Sequence, residues 1–247
     1  MFSRLQLWGL LSLSLFLFAA CPPMASSAGD ASERIRQSMM LLLSGVEPDS
    51  VAVTPIPGLY EVVIGTRIVY LSEDGRYLIE GSITDLESRQ SLTDPRVRAA
   101  RLDAVRKIGE RNMLVYPAQA QRHRVTVFTD IDSGHGRKMH RDIADYTALG
   151  IELRYLFFPR AGVKSASYRK AVSIWCADDR KIAMAAAATG KKPPEKECEN
   201  PVLSHMRLGE MMGVTGTPVL LLESGEMIPA YIPAEELARI LDRGKQR

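Results

Sequence analysis

The chain has 247 residues, 46% apolar and 25% charged, which is the composition of a folded globular protein and excludes a disordered chain. Its 32 basic residues outnumber the 29 acidic ones by only three and form no dense tract, so a nucleic-acid partner is not expected. Three widely spaced cysteines exclude a small scaffold held together by disulfides. At about 150 residues per domain, the length indicates one or two domains.

Residues 1–28 have the pattern of an export signal. Arg4 precedes an apolar run from Leu5 to Ala20 that is too short to span a bilayer with ease. Two cleavage sites compete, because residues 26–28 suit ordinary cleavage whereas Phe18-Ala19-Ala20-Cys21 resembles a lipoprotein box that would leave a lipid on Cys21. Both place the mature chain outside the cytoplasm, and membrane contact is expected only through such an anchor.

Residues 29–90 predict a small α+β module. A helix from Ala31 is favoured by apolar residues at helical spacing, and Gly45 ends it. These apolar residues are Ile35, Met39, Leu42 and Leu43. Strands are predicted at Tyr60–Ile64, Thr66–Leu71 and Tyr77–Ile79, the last after a turn at residues 73–75. Because so small a sheet with an open edge tends to be covered or paired, we expect this module to dimerise through the first two strands.

Residues 91–115 predict a linker helix between two domains. Asp94 is expected to cap it, with Pro95 at the first helical position, and the helix is expected to run to Arg111. A narrow apolar stripe made of Leu102, Val105 and Ile108 lies in a segment that is otherwise dense in charge. Because the sequence pattern of the residues before this segment differs from that of the residues after it, we expect the helix to connect two domains.

Residues 116–247 predict an α/β domain with a mixed sheet. The expected order is strand, helix, strand, three helices, a hairpin around Ser224-Gly225 and a last helix. The strands are expected at 124–129, 151–157, 219–222 and 227–231. The helices are expected around a buried face of Met139, Ile143 and Tyr146, at 168–176, 179–188 and 201–212, and at Leu237, Ile240 and Leu241.

Seven short motifs stand out in this domain. They are Phe128-Thr129-Asp130-Ile131, Ala144-Asp145-Tyr146, Ala148-Leu149-Gly150-Ile151, Arg154-Tyr155-Leu156, Phe158-Pro159-Arg160, Ile174-Trp175-Cys176-Ala177 and Gly213-Val214-Thr215-Gly216-Thr217-Pro218. Together they resemble the catalytic domain of the DsbC/DsbG-type periplasmic disulfide isomerases, and the resemblance covers nearly the whole mature chain. It implies a thioredoxin-like domain with a helical insertion on each arm of a V-shaped periplasmic homodimer, joined through the small N-terminal modules.

The family's Cys-x-x-Cys at the start of the first thioredoxin helix is replaced here by Ser133-Gly134-His135-Gly136. Disulfide exchange needs a thiolate, and a serine hydroxyl is not appreciably ionised at neutral pH. We therefore expect a degenerate motif without catalytic residues, and no cofactor. A new Ser133–His135 hydrolase is not favoured, because two residues of separation at a helix start do not place a base on a nucleophile.

Two further pairs of residues take their expected roles from the resemblance. Cys176 and Cys198 match the family's second, structural cysteine pair, which implies a disulfide. The alternative is a relocated redox pair, which is less expected because neither cysteine lies in a short motif at a helix start. Thr217-Pro218 matches the cis-proline loop, where the residue before the proline pairs its backbone with an extended peptide.

The sequence therefore predicts an exported, homodimeric, redox-inactive protein that binds non-native polypeptides or one particular client. The alternative is the family's thiol:disulfide interchange role. A second alternative is a site for a soft metal, formed by two histidines and several methionines. The residues considered for that site are His135, His140, Met139, Met206, Met211 and Met212, although Met139 and Met211 fit an ordinary core.

Overall fold

The structure, a computed structural model, describes residues 28–42 and 45–245. The proposed signal with Cys21, and Leu43 of the predicted first helix, lie outside the described residues. Within the described ranges, no helix is both long enough and apolar enough to cross a membrane.

The N-terminal module begins with a helix that covers a small antiparallel sheet. Its elements are α1 (Ala28–Leu42), β1 (Ser50–Val53), β2 (Leu59–Ile64), β3 (Arg67–Ser72), β4 (Leu78–Ile79), β5 (Thr84–Asp85) and β6 (Gln90–Ser91). The first four strands form one sheet in the order β1-β2-β3-β4, and β5 and β6 form a separate pair. One face of α1, with Ala31, Ile35 and Met39, packs on Val62 and Val69, which confirms the predicted apolar stripe.

The expected dimer strands are the inner strands of this sheet, which is a correction to the sequence-based prediction. β2 pairs along its length with both β1 and β3, and β3 also pairs with β4 through Tyr70 and Leu71. Their backbone groups are therefore largely satisfied within the module. The sequence pattern missed β1 because Ser50–Val53 is only four residues long, and this strand supplies one of the outer edges.

The linker helix, α2 (Thr93–Ile108), begins and ends earlier than predicted. Asp94 is not its cap, because Thr93 already lies in the helix and Asp94 instead donates its backbone N–H to Ser91 Oγ at 2.9 Å. The Thr93 hydroxyl contacts the Tyr70 hydroxyl and accepts the N–H of Ile83, so this end of α2 is fastened to the module. Since Val105 packs in the core of the second domain, α2 joins the two domains as predicted.

The second domain is built around a five-stranded mixed sheet. After a short 3-10 helix (Glu110–Asn112), its elements are β7 (Leu114–Tyr116), β8 (His123–Thr129), α3 (Gly134–Arg141), α4 (Ile143–Ala148), β9 (Ile151–Phe157), α5 (Ala166–Trp175), α6 (Arg180–Ala188), α7 (Val202–Met211), β10 (Val219–Leu222), β11 (Met227–Ile228) and α8 (Ala234–Gly244). The strand order is β11-β10-β8-β9-β7, in which β8 and β9 are parallel and the other neighbours are antiparallel. The mixed α/β sheet is therefore confirmed.

Alternation along β8 separates the two cores of this domain. Val125 and Val127 face a core shared with α3, α5, α6 and α8, whereas Phe128 faces a core shared with α2 and α7. Two predicted boundaries differ from the structure. The helix expected through Met139 and Tyr146 is divided into α3 and α4 at Asp142, and residues 114–116, which cross the predicted boundary between the linker and the second domain, form an edge strand beside β9.

The tip of the β2–β3 hairpin contacts the second domain. Thr66 Oγ1 donates to the carbonyl oxygen of Met211 at 2.6 Å, and Lys107 Nζ donates to Asp49 Oδ1 at 2.8 Å. A cavity of about 320 Å³ lies beside these contacts, between Asp49, α2 and α7. Another cavity, of about 390 Å³, lies between α2 and the sheet of the second domain. Met211 lines the cavity beside Asp49 and is 51% exposed, so the prediction that it is a core residue is wrong: it ends α7 at the domain boundary.

Candidate functional site: the groove at Ser133 and Thr217–Pro218

Ser133 lies where β8 gives way to α3, and its side chain joins two loops. It caps α3, because its Oγ accepts the backbone N–H of Gly136 at 3.2 Å. The same hydroxyl donates to the carbonyl oxygen of Thr217 at 2.8 Å, and Ser133 is only 4% exposed. The Thr217–Pro218 peptide bond is cis, so the hydroxyl links the start of α3 to the residue before the cis-proline. We call the surface where these two loops meet the groove.

Gly136 lies at a place where the backbone is too close for a side chain. A Cβ at this position would stand 2.8 Å from Thr129 Oγ1 and 2.9 Å from the carbonyl oxygen of Asp130. Contacts below 3.0 Å require a neighbour to move, and the Asp130 carbonyl belongs to the backbone. The fourth position of the Ser133–Gly136 segment therefore accepts a cysteine only with a local rearrangement.

Asp130 holds the loop that precedes Ser133. Its carboxylate accepts the Ser167 hydroxyl, the N–H of Asp132 at 2.9 Å, and both the N–H and the Nε of Arg160 at 3.1 Å. Burial opposes its ionisation, but these hydrogen bonds outweigh the burial and hold its pKa below the usual range. Asp130 thus keeps a buried negative charge that fixes the ends of β8, β9 and α5 beside the groove.

An aromatic contact lies on the other side of the α3 start. His135 is exposed and stacks on Tyr231, with ring centroids 6.4 Å apart and an angle of 17° between the rings. Lys138 Nζ lies 4.7 Å from the centre of the Tyr231 ring, and both Lys138 and the Tyr231 hydroxyl donate to Asp142. Tyr231, predicted as the end of a strand, lies beyond β11 and is fixed in this contact.

The structure separates the residues considered for new chemistry. Among the described hydrogen bonds none joins Ser133 to His135, because the serine is committed to Gly136 and Thr217. His140 is buried against tyrosine rings, away from the exposed stacking position of His135. Across residues 28–42 and 45–245 there is no group of three or more His, Cys, Asp or Glu side chains placed to hold a metal ion. Met206 and Met212 pack in the apolar core that is shared with α2 and α7. Met139 packs in the core on the opposite face of the sheet.

Cys176 and Cys198 form a disulfide, with their Cα atoms 5.7 Å apart and their positions separated by 22 in sequence. Cys176 follows the last turn of α5, and the segment that ends at Cys198 crosses a surface loop after α6. Neither cysteine belongs to the segment that starts α3. In the described part of the chain, both cysteines are therefore oxidised and neither offers a thiol to the groove.

Comparison with known proteins agrees with both parts of this architecture. The family model described as the disulfide bond isomerase protein N-terminal domain matches residues 25–94, and the thioredoxin-like domain matches residues 110–245. The thiol:disulfide interchange protein DsbC of Dickeya dadantii is 35% identical over 243 residues, which cover 98% of this chain and 96% of that protein. The chain belongs to the DsbC family. The thiol:disulfide interchange protein DsbC of Escherichia coli K12 is 33% identical over 229 residues, which cover 92% of this chain and 94% of that protein.

A solved structure supports the fold of this DsbC-family chain. The disulfide interchange protein from Neisseria gonorrhoeae aligns with a TM-score of 0.50 and 27% identity, covering 56% of this chain and 99% of that one. Asp130 lies in one of the seven sequence motifs, but no role was predicted for it. An acidic residue directly after a buried strand was the available signal, whereas nothing in the sequence marked the contact between His135 and Tyr231.

Proposed function

We propose that this DsbC-family protein binds non-native or specific client polypeptides in the groove beside Pro218 without thiol exchange. The observation that carries the proposal is the Ser133 hydroxyl, which stands at the capping position of α3 with hydrogen bonds to Gly136 and Thr217. A helix N-terminus favours a thiolate, but a hydroxyl remains protonated there and forms no mixed disulfide. The groove therefore keeps its cis-proline and its backbone while it offers no redox sulfur.

The proposed assembly is a homodimer formed by the N-terminal modules. An edge strand exposes unpaired backbone groups, and one outer edge of the module's sheet, at β4, also carries exposed apolar side chains. Tyr77 is 61% exposed, Leu78 45% and Ile79 51%. We therefore assign the interface to β4 and the residue before it. Two grooves held on one dimer would grip an unfolded chain at two places and gain affinity through effective concentration.

The proposed location is the periplasm, supported by the signal pattern of residues 1–28 and by the disulfide, which needs an oxidising compartment. Cleavage after residue 28 gives a free protein, and cleavage before Cys21 gives a lipoprotein. Mass spectrometry of the N-terminal peptide from a membrane fraction and from a soluble fraction distinguishes the two.

The first experiment tests for thiol chemistry. The purified mature chain is assayed for insulin reduction and for refolding of a protein with scrambled disulfides, and we expect no turnover above background. The positive control is the double variant Ser133→Cys with Gly136→Cys. We expect it to gain partial activity only, because the new side chain at Gly136 meets Thr129 and the Asp130 carbonyl. Turnover by the unmodified chain would contradict the proposal and support the interchange role.

The second experiment tests client binding through the dimer. Leu78→Lys places a charge on the proposed interface, and Val53→Lys places the same charge on β1, the opposite edge of the sheet, where Val53 is 66% exposed. We expect Leu78→Lys to halve the mass measured by light scattering and to weaken suppression of client aggregation, and Val53→Lys to do neither. A monomeric parent protein, or full protection by a monomeric Leu78→Lys, would contradict the mechanism.

A further inference from the structure

Two ion pairs fasten cationic side chains to the loop that leads into Ser133. Arg160 Nε donates to Asp130 Oδ2 at 3.1 Å, and Lys170 Nζ donates to Asp132 Oδ1 at 2.7 Å. Asp132 directly precedes Ser133 in the chain, so both ion pairs border the groove. They use the carboxylates of Asp130 and Asp132, which are the acidic residues of the segment 130–137.

Two more cations flank this loop without forming an ion pair to any residue that the structure describes. Arg137 Nη1 donates to the carbonyl oxygen of Ile131 at 3.1 Å. Lys164 lies three residues before Ser167, whose hydroxyl donates to Asp130, and three residues span at most about 11 Å. The segments 130–137 and 160–170 hold five basic and two acidic residues. Since both acidic residues are already paired, positive charge is in excess beside the groove.

The backbone of Lys164 has a conformation that a lysine rarely adopts. Its φ is +70°, in the left-handed region that favours glycine, and strain of this kind is concentrated at ligand-binding sites. Neighbouring residues fix the conformation, because the Lys164 carbonyl oxygen accepts Arg169 Nη1 at 2.7 Å and Ser165 caps the helix that follows. The Lys164 side chain is exposed, and Val163 beside it is 50% exposed. The loop therefore presents one cationic and one apolar side chain to solvent at a fixed position.

We propose that Arg137, Arg160, Lys164 and Lys170 form a basic rim that selects client segments in which carboxylates are combined with apolar side chains. This inference rests on the proposed client-binding function and names the class of client. Carboxylates of a segment seated in the groove would neutralise Arg137 and Lys164, and an apolar side chain would cover Val163. Charge complementarity of this kind speeds association and discriminates between partners, and salt screens it. A polypeptide is favoured over an anionic membrane because the rim adjoins the groove assigned to a polypeptide.

The test compares two fluorescein-labelled peptides of equal length that share the same leucines, one with aspartates and the other with asparagines at the remaining polar positions. Fluorescence anisotropy with the purified mature chain measures their affinities. We expect the acidic peptide to bind about fivefold more tightly at low ionic strength, and the preference to shrink as salt is added. Lys164→Asn and Arg137→Gln should each weaken binding of the acidic peptide by about twofold to fivefold and leave the asparagine peptide unaffected. Asparagine tolerates the left-handed backbone at position 164, and Arg137→Lys, which keeps the charge, should keep the affinity.

The matched control is Arg243→Gln, which removes the same charge at the other end of β8. Arg243 is exposed and follows Asp242, which bonds to His123 at the start of that strand at 2.7 Å. Equal affinity for the two peptides, or an equal effect of Arg243→Gln and Arg137→Gln, would overturn the basic rim while client binding stands. If neither peptide nor an unfolded model client binds, the proposed function itself fails and the rim with it. Phosphatidylglycerol vesicles are a further probe: if the rim variants weaken vesicle binding and the peptides are not distinguished, the rim contacts membranes and the proposal is overturned.

Discussion

Replacing Ser133 with Ala removes a single oxygen atom that serves two hydrogen bonds. The Oγ accepts the N–H of Gly136 as the cap of α3, and it donates to the carbonyl oxygen of Thr217 before the cis-proline. Both partners lie in the thioredoxin-like domain, and Ser133 is nearly inaccessible to solvent. The change leaves a helix N–H and a loop carbonyl without their partner, and water has little access to replace it.

The expected loss of stability is the sum of these two parts. Removing a serine cap costs about 1 kcal/mol, and removing a partner from a partly buried carbonyl costs about 1–2 kcal/mol, so Ser133→Ala should lower the free energy of unfolding by about 2–3 kcal/mol. The matched control is Ser165→Ala. Ser165 caps α5 by accepting the N–H of Tyr168 at 3.0 Å, and this cap carries no second bond to a distant loop. It should lose about 1 kcal/mol.

Denaturant unfolding followed by tryptophan fluorescence measures both variants. Trp175 is buried beside the disulfide, and the chain's other tryptophan, Trp8, lies in the segment expected to be removed as a signal, so the emission reports on the thioredoxin-like domain. The reasoning fails if Ser133→Ala loses no more stability than Ser165→Ala. In that case the bond between Ser133 and Thr217 contributes nothing beyond the cap.

Three further predictions concern the same domain. His205 is fully buried, with Nδ1 accepting the N–H of Phe157 and Nε2 bonded to the Asn112 carbonyl, and burial lowers its pKa to about 4. The unfolded chain binds this proton near pH 6.5, so the contribution is complete above pH 6.5 and up to about 3 kcal/mol is lost as the pH falls through 4. The non-titrating His205→Gln should give a shallower loss of stability between pH 6.5 and 4, and an equal slope would contradict the assignment. Reducing the Cys176–Cys198 bond, which closes a 22-residue separation, should cost about 3 kcal/mol without abolishing the fold. Titration of the mature chain under denaturing, non-reducing conditions should find no free thiol unless Cys21 is retained unmodified, and two thiols would exclude the disulfide. Asp130→Asn should destabilise the domain, and its effect should shrink when Arg160 is also changed to Ala, because the two share a hydrogen bond.

Patterns of single elements were sufficient to predict most of the fold. α1 and the strands β2, β3, β8 and β9 have apolar repeats of the correct period, and their spacing identifies them without reference to the rest of the chain. β1 and β7 were missed because three or four residues carry too little periodicity, and they exist as strands only because β2 and β9 pair with them. The exposed position of Met211 was missed for a similar reason, since a domain boundary is a tertiary feature.

The positions of the candidate site residues could be predicted from the sequence, but the hydrogen bonds and contacts between them could not. The resemblance located residues 133–136 and the Thr217–Pro218 pair, yet they are more than eighty residues apart, and no local pattern states that one hydroxyl bonds to both loops. The close approach of Gly136 to the Asp130 carbonyl was also hidden. It depends on how α3 lies against the end of β8, which is set by packing rather than by the identity of neighbouring residues.

The hairpin contact at Thr66 has a mechanical consequence for how a client would be held. A motion of the N-terminal module away from the end of α2 and from α7 would break both the Thr66–Met211 hydrogen bond and the Lys107–Asp49 ion pair. Together they are worth about 1–2 kcal/mol, so roughly a sixth to a thirtieth of the molecules would have them open at any moment. α7 ends at Met211, and the chain then reaches Pro218 within seven residues. In the proposed dimer, a force on a bound client would therefore act on a contact that opens readily, and the two proposed binding surfaces could adjust to clients of different size.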